Sequence, residues 1–133
     1  MSAKPRVAVV EDDASIGVMI TQSLALEGFD VTVFTDGTSA SARVRTAAPD
    51  AVVLDIMLPG KDGLTILREL RQSPATAELP IVMLSAKTDS STAWQGWTGG
   101  ANYVMPKPFA PDELARVLHS LIGQQEPSRI ALL

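Results

Sequence analysis

AVVLDIMLPGKDG, residues 51–63, is the stretch on which the fold turns. Ala51 to Leu54 run without polar alternation, the pattern of a strand covered on both faces, as in a parallel sheet flanked by helices. The run ends in a single carboxylate, Asp55, and a loop containing Pro59, Gly60, Asp62 and Gly63 follows before a helical pattern begins. Side chains at the carboxyl ends of such strands line the crevice where doubly wound folds bind ligands, so Asp55 stands where chemistry is concentrated.

The same grammar repeats on either side. Arg6 to Val10 reads as a strand that stops at three acids, Glu11, Asp12 and Asp13. Ile16, Met19, Ile20 and Leu24 then mark one stripe of a helix, with Asp13 as its N-cap and Gly28 just past its end. Val31 to Phe34 is a second strand, and Asp36-Gly37 turns into a helix that reaches about Ala47. A third helix runs from Gly63 to about Gln72, with Leu64, Leu67 and Leu70 on its buried side. Ile81 to Leu84 is a fourth strand that delivers Ser85 to its carboxyl end. Residues 88–99 are placed as a helix, although Ser, Thr and Gly give them poor propensity. Asn102 to Met105 is a short fifth strand before Pro106, Lys107 and Pro108. Pro111, Asp112 and Glu113 open the last helix, whose apolar face is Leu114, Val117, Leu118, Leu121 and Ile122. Strand then helix, five times, predicts a parallel sheet with helices on both faces.

Composition sets bounds on function. With 133 residues, 46% of them hydrophobic, the chain suits one globular domain. A formal net charge of -4 and the lack of a basic run give no nucleic-acid surface, and no direct nucleic-acid partner is expected. Zero cysteines exclude thiol chemistry and suit a cytoplasmic protein. The apolar stretch near the start is too short for a signal peptide, and no run approaches membrane-spanning length, so no membrane contact is expected.

The polar groups that matter fall at the carboxyl ends of the strands: Glu11 and Asp12 after the first, Asp55 after the third, Ser85 after the fourth and Lys107 after the fifth. A parallel sheet brings those ends to one edge. Carboxylates gathered there repel one another by about 4 kcal/mol per pair at ~4 Å and an effective dielectric near 20, so a cation must offset them. Hard oxygen donors, with no Cys or His in the cluster, favour Mg²⁺ over zinc or copper. A Mg²⁺ site with a lysine and a hydroxyl beside it suits phosphoryl transfer, in which positioning and charge neutralisation do most of the work.

VVEDD at 9–13, LDIMLPGKDG at 54–63, LSAK at 84–87 and PKPF at 106–109 resemble, in type, order and spacing, the receiver domain of two-component response regulators. The resemblance spans roughly residues 6–123. It implies a flavodoxin-like (βα)5 fold with strand order 2-1-3-4-5, a receiver domain over 1–123 and a C-terminal tail over 124–133. It further implies that Asp55 accepts a phosphoryl group from a sensor histidine kinase or a histidine phosphotransfer protein. Glu11 and Asp12 would form the acidic pair, with Asp12, Asp55 and the Met57 backbone carbonyl as direct Mg²⁺ ligands. Lys107 would contact the acyl phosphate, Ser85 would move to hydrogen-bond it, and the Lys107-Pro108 bond would be cis. The change would reach a downstream protein through the face of the fourth helix, fifth strand and fifth helix. Such a domain is not an enzyme acting on other molecules; it assists its own phosphorylation and dephosphorylation.

The chain departs from the family pattern at three places. The position of the family's switch aromatic, three before the lysine, is Val104, and strand alternation points the neighbouring Tyr103 to the other face. Asn102 and Tyr103 stand where the DNA-binding branch carries a dimer-forming acidic pair, so no such dimer is expected. Met57 and Lys87 occupy the two positions that tune dephosphorylation, and neither suits the orientation of an attacking water, which predicts a long-lived phosphoprotein.

Blander readings apply elsewhere. Asp62 reads as a turn residue, His119 as a partly exposed helix residue, Trp97 as packed on the sheet, and Trp94 as either core or a partner contact. A phosphorylation-independent interaction module of the same fold is the alternative function. An aspartyl phosphatase of the haloacid dehalogenase type is disfavoured because Met57 stands where a second aspartate belongs, and flavin binding because three acids follow the first strand.

Overall fold

A computed structural model describes residues 4–86 and 90–123, with the backbone alone for 90–93. Strands and helices alternate: β1 (Arg6–Val10), α1 (Ala14–Leu26), β2 (Asp30–Phe34), α2 (Ala40–Ala47), β3 (Ala51–Asp55), α3 (Gly63–Gln72), β4 (Ile81–Ala86), α4 (Ser90–Thr98), β5 (Tyr103–Lys107) and α5 (Pro111–Gly123). The five strands form one parallel sheet in the order β2-β1-β3-β4-β5. This is the doubly wound, flavodoxin-like arrangement that the resemblance implies. Lys87 and residues 124–133 lie outside the described residues.

Strand alternation divides the core into two layers. Ala8, Val10, Val52, Leu54, Ile81, Met83 and Val104 face Ala40 and Val44 of α2 and Ile66, Leu67 and Leu70 of α3. Val7, Val9, Ala51, Val53, Val82, Leu84 and Met105 face Ile20 and Leu24 of α1 and Leu114, Ala115 and Leu118 of α5. All five residues of the central β3 are buried, which is why its sequence shows no polar alternation. Val104 and Tyr103 fall in opposite layers, as alternation requires.

Local chemistry sets the ends of the elements. The Asp13 carboxylate caps α1 by accepting from the Ile16 N–H at 3.1 Å, and Gly28 follows the helix at φ +93°. Asp62, read as a turn residue, is the N-cap of α3 and accepts from the Thr65 N–H at 2.8 Å. β4 and β5 each run two residues beyond the expected ends because Ser85 stays in register with Pro106 and Ala86 with Lys107. Pro106 is tolerated there because β5 is an edge strand.

One expectation changes at the far side of the sheet. In α4 the residue against the sheet is Gly96, where a Cβ would come within 3.2 Å of Val104; Trp97 is 47% exposed and meets the Tyr103 ring edge-on at 5.9 Å. The small residue lets the helix approach, and the indole is left to cover the sheet edge. Asn102 also has a structural task. Its Oδ1 accepts from Arg71 Nη2 and from the Ile81 N–H, both at 2.8 Å, and Arg71 donates further to the carbonyls of Gly100, Thr76 and Ala77.

Gly63 closes the loop after β3 by donating its N–H to the Ile56 carbonyl at 2.8 Å. A Cβ there would run into the backbone oxygen of Asp55 and lie 2.7 Å from Ile56 Cα. Neither neighbour is a flexible side-chain end. Gly63→Ala is therefore expected to lower unfolding free energy by about 1–3 kcal/mol, measured by urea denaturation. An unchanged midpoint would show that the loop can shift freely.

Candidate functional site

The parallel sheet brings the ends of β1, β3, β4 and β5 to one edge, and four of the expected side chains meet there. Oxygens of Glu11, Asp12 and Asp55 all lie within 4.8 Å of one another. Glu11 and Asp55 are buried and Asp12 is exposed, so the cluster opens to solvent on the Asp12 side. From the edge strand, Lys107 Nζ reaches Asp55 Oδ2 at 2.7 Å and Glu11 Oε1 at 3.7 Å. The other oxygen of Asp55 accepts from the Met57 N–H at 3.0 Å, which turns the chain sharply as β3 ends. The Lys107-Pro108 peptide is cis.

Burial and Asp55 set the protonation of this cluster. Desolvation, with the hydrogen bond and negative charge of Asp55, raises the Glu11 carboxyl from 4.5 to about 7, against the opposing pull of the Asp13 N–H and Lys107. For Lys107, burial lowers the pKa, but the Asp55 hydrogen bond and the negative charges of Asp55 and Glu11 outweigh it and the ammonium is held above its ordinary value. Among the described residues, one cation serves the two buried carboxylates. Glu11 Oε1 is left buried with no hydrogen-bond partner among the described residues. An orphaned carboxylate oxygen beside two further carboxylates is a donor set that fits a hard divalent cation.

Ser85 is buried at the end of β4, and its hydroxyl donates to the Ala86 carbonyl at 3.3 Å rather than to the acidic cluster. Met57 follows Asp55 in the loop with its side chain 69% exposed. His119 is exposed on α5, well apart from the acids; its ring lies 4.3 Å from that of Phe29 and its Nε2 is 3.1 Å from the Glu27 carbonyl. Trp94 is 68% exposed, on the partner-contact side of the two readings open for it. Gly63, read from sequence only as a loop and helix-start residue, packs its backbone against the Asp55 carbonyl, where a Cβ would not fit. Its signal was the glycine that ends the loop motif.

Over residues 7–119 the chain matches the response regulator receiver domain, and it belongs to that family. The DNA-binding response regulator MtrA of Mycobacterium tuberculosis H37Rv is 49% identical over 115 residues, 86% of this chain and 49% of that protein. The phosphate regulon transcriptional regulatory protein PhoB of Rhizobium meliloti is 36% identical over 129 residues, 97% of this chain and 57% of that protein. The chain thus spans about half the length of these relatives. Among solved structures, a response regulator from Chloroflexus aurantiacus superposes with a TM-score of 0.86 at 34% identity, covering 90% of this chain and 98% of that one. The receiver domain of sensor histidine kinase PA1611 from Pseudomonas aeruginosa, with a magnesium ion coordinated in its active site cleft, gives 0.84 at 30% identity over 91% of this chain and 99% of that one. The fold and family define a signalling domain.

One expectation is overturned. Composition gave no direct nucleic-acid partner, yet relatives at this level of identity are DNA-binding response regulators. The net charge of -4 is summed over 133 residues, about half the length of those proteins, and says nothing of how their other half binds. No helix among the described residues is long and apolar enough to cross a membrane.

The raised Glu11 pKa has a definite sign in stability. Between 4.5 and about 7 the unfolded chain has released a proton that the folded chain keeps, so this group's contribution falls as pH rises through that window. Glu11→Gln is expected to remove the fall. Without divalent cations, the variant should match the wild type at about pH 5 and exceed it in denaturation midpoint at about pH 8. A variant that stays below the wild type at the higher pH contradicts the assignment.

Proposed function

We propose that Asp55 accepts a phosphoryl group from a histidine kinase or histidine phosphotransfer protein in a Mg²⁺-dependent reaction that switches an interaction surface. The observation that carries this reading is the pair of buried carboxylates, Glu11 and Asp55, which among the described residues share one lysine and leave Glu11 Oε1 without a hydrogen-bond partner. Asp12, Asp55 and the Met57 carbonyl would hold the cation, with Glu11 behind them. Bound there, Mg²⁺ supplies positive charge against the phosphoryl oxygens.

The chain's own residues do the rest. A carboxylate oxygen of Asp55 attacks phosphorus; a P–O bond forms as the P–N bond of the phosphohistidine breaks, and the imidazole nitrogen leaves with the bonding pair. Lys107, already 2.7 Å from Asp55, compensates the negative charge carried on the acyl phosphate. Ser85 lies one strand away, and its weak bond to the Ala86 carbonyl is easily exchanged for one to a phosphoryl oxygen. Residues 1–123 constitute the receiver and 124–133 a tail. A longer protein built like the DNA-binding regulators would deliver its output at DNA.

A phosphorylation-independent module is the second reading, favoured by Val104, a buried aliphatic residue where the family's switch aromatic would stand. Intact mass after incubation with acetyl phosphate separates the two. A Mg²⁺-dependent phosphoryl adduct is expected on the wild type and absent from Asp55→Asn. No adduct on folded wild-type protein would transfer the assignment to the second reading. Met57 is a thioether that cannot orient water, so the adduct is expected to persist for minutes or longer; decay within seconds would refute that lifetime.

A further inference from the structure

The loop that follows Asp55 carries the Met57 carbonyl, and its outer half is gripped by residues from two helices. Lys61 Nζ donates to both carboxylate oxygens of Glu69 on α3, at 3.1 and 2.9 Å. Glu69 Oε1 also accepts from the hydroxyl of Ser41, a buried residue of α2, at 2.5 Å. The Ser41 bond, then Lys61, holds the Glu69 carboxyl below its ordinary range, so the carboxylate is charged at neutral pH. The loop backbone is pressed against the turn before α2 as well. A Cβ on Gly37 would lie 2.6 Å from the Lys61 carbonyl oxygen, and one on Gly60, which has φ +83°, would lie 2.9 Å from Thr38 Oγ1. None of these residues touches the acidic cluster.

We infer that Ser41, Glu69 and Lys61 form a clasp that positions the loop between Asp55 and α3, and through it the Met57 carbonyl, for binding of the divalent cation. The inference rests on the Mg²⁺ site proposed above. Root and tip of the loop are fixed separately. Gly63 N–H to Ile56 O holds the root at 2.8 Å, and the clasp holds the tip, leaving Met57 between them. Lys61 and Glu69 are each about one-third exposed, so the pair contributes little to global stability. Its effect lies in where it places a backbone carbonyl. Groups that orient a metal's ligands typically change affinity by roughly 10- to 100-fold, and a clasp acting through a loop belongs at or below the low end of that range.

The test is calorimetric Mg²⁺ titration of the wild type, Glu69→Gln, Lys61→Met, Lys61→Arg and the exchanged pair Lys61→Glu with Glu69→Lys, with acetyl phosphate labelling rates across Mg²⁺ concentrations. Glu69→Gln and Lys61→Met should bind Mg²⁺ roughly three- to tenfold more weakly, with thermal midpoints nearly unchanged. Their labelling should be slow at low Mg²⁺ and reach the wild-type rate at saturation. Lys61→Arg should keep the wild-type affinity, and the exchanged pair, which restores the ion pair but not the acceptor for the Ser41 hydroxyl, should bind more tightly than either Glu69→Gln or Lys61→Met. Wild-type binding with equal affinity in Glu69→Gln and Lys61→Met overturns the clasp alone, as does a labelling defect that saturating Mg²⁺ fails to correct. Absence of Mg²⁺ binding by folded wild-type protein overturns the metal site and the clasp together.

Discussion

Two buried carboxylates share one ammonium at the edge of this sheet, and the rest of the molecule is arranged to hold them there. Left in water, Glu11 and Asp55 would separate. Their strands are neighbours in a parallel ladder, so their side chains must emerge at the same edge. Lys107 arrives from the edge strand, two strands beyond Asp55, and stands 2.7 Å from one acid and 3.7 Å from the other. Burial, then the neighbouring Asp55, raises the Glu11 pKa to about 7, and among the described residues its Oε1 has no hydrogen-bond partner. A protein selected for stability alone would remove one of these acids.

The fold supplies the rigidity that this arrangement needs. β3 is buried along its whole length, and both faces are covered by aliphatic side chains from four helices. Such a strand cannot slip by one residue without turning every side chain to the opposite layer, so the height of Asp55 at the edge is fixed by packing. Beyond the strand, control passes to the loop. At Gly63 and Gly37 backbone approaches backbone too closely for a side chain, Gly60 holds a positive φ against the Thr38 hydroxyl, and Lys61 makes its polar contacts in the same loop.

Much of this was legible in the sequence because it depends on period and position. Unbroken apolar runs located the strands, and residues at their carboxyl ends located Glu11, Asp12, Asp55, Ser85 and Lys107. Features that depend on contact between distant segments were not legible. The bond between Ser41 and Glu69 spans 28 residues and follows no periodicity. Asn102 looked like a missing acid, yet it joins Arg71 to the start of β4. Trp97 reads as packed on the sheet, but it stays 47% exposed against Tyr103, and Gly96 beside it is the residue that lets the helix approach. The nucleic-acid expectation failed for a different reason, since charge was counted over a stretch about half as long as its relatives.

The two tryptophans have a practical consequence. They are the only ones in the chain, they lie three apart on α4, and they are 68% and 47% exposed, with Tyr103 against the second. Indole emission from this protein therefore reports on one surface patch and carries no background from the core. Its colour and its access to aqueous quenchers read the state of that patch directly. Any event at the acidic edge that reaches α4 is visible without a label, and any that stops short of it leaves the emission unchanged.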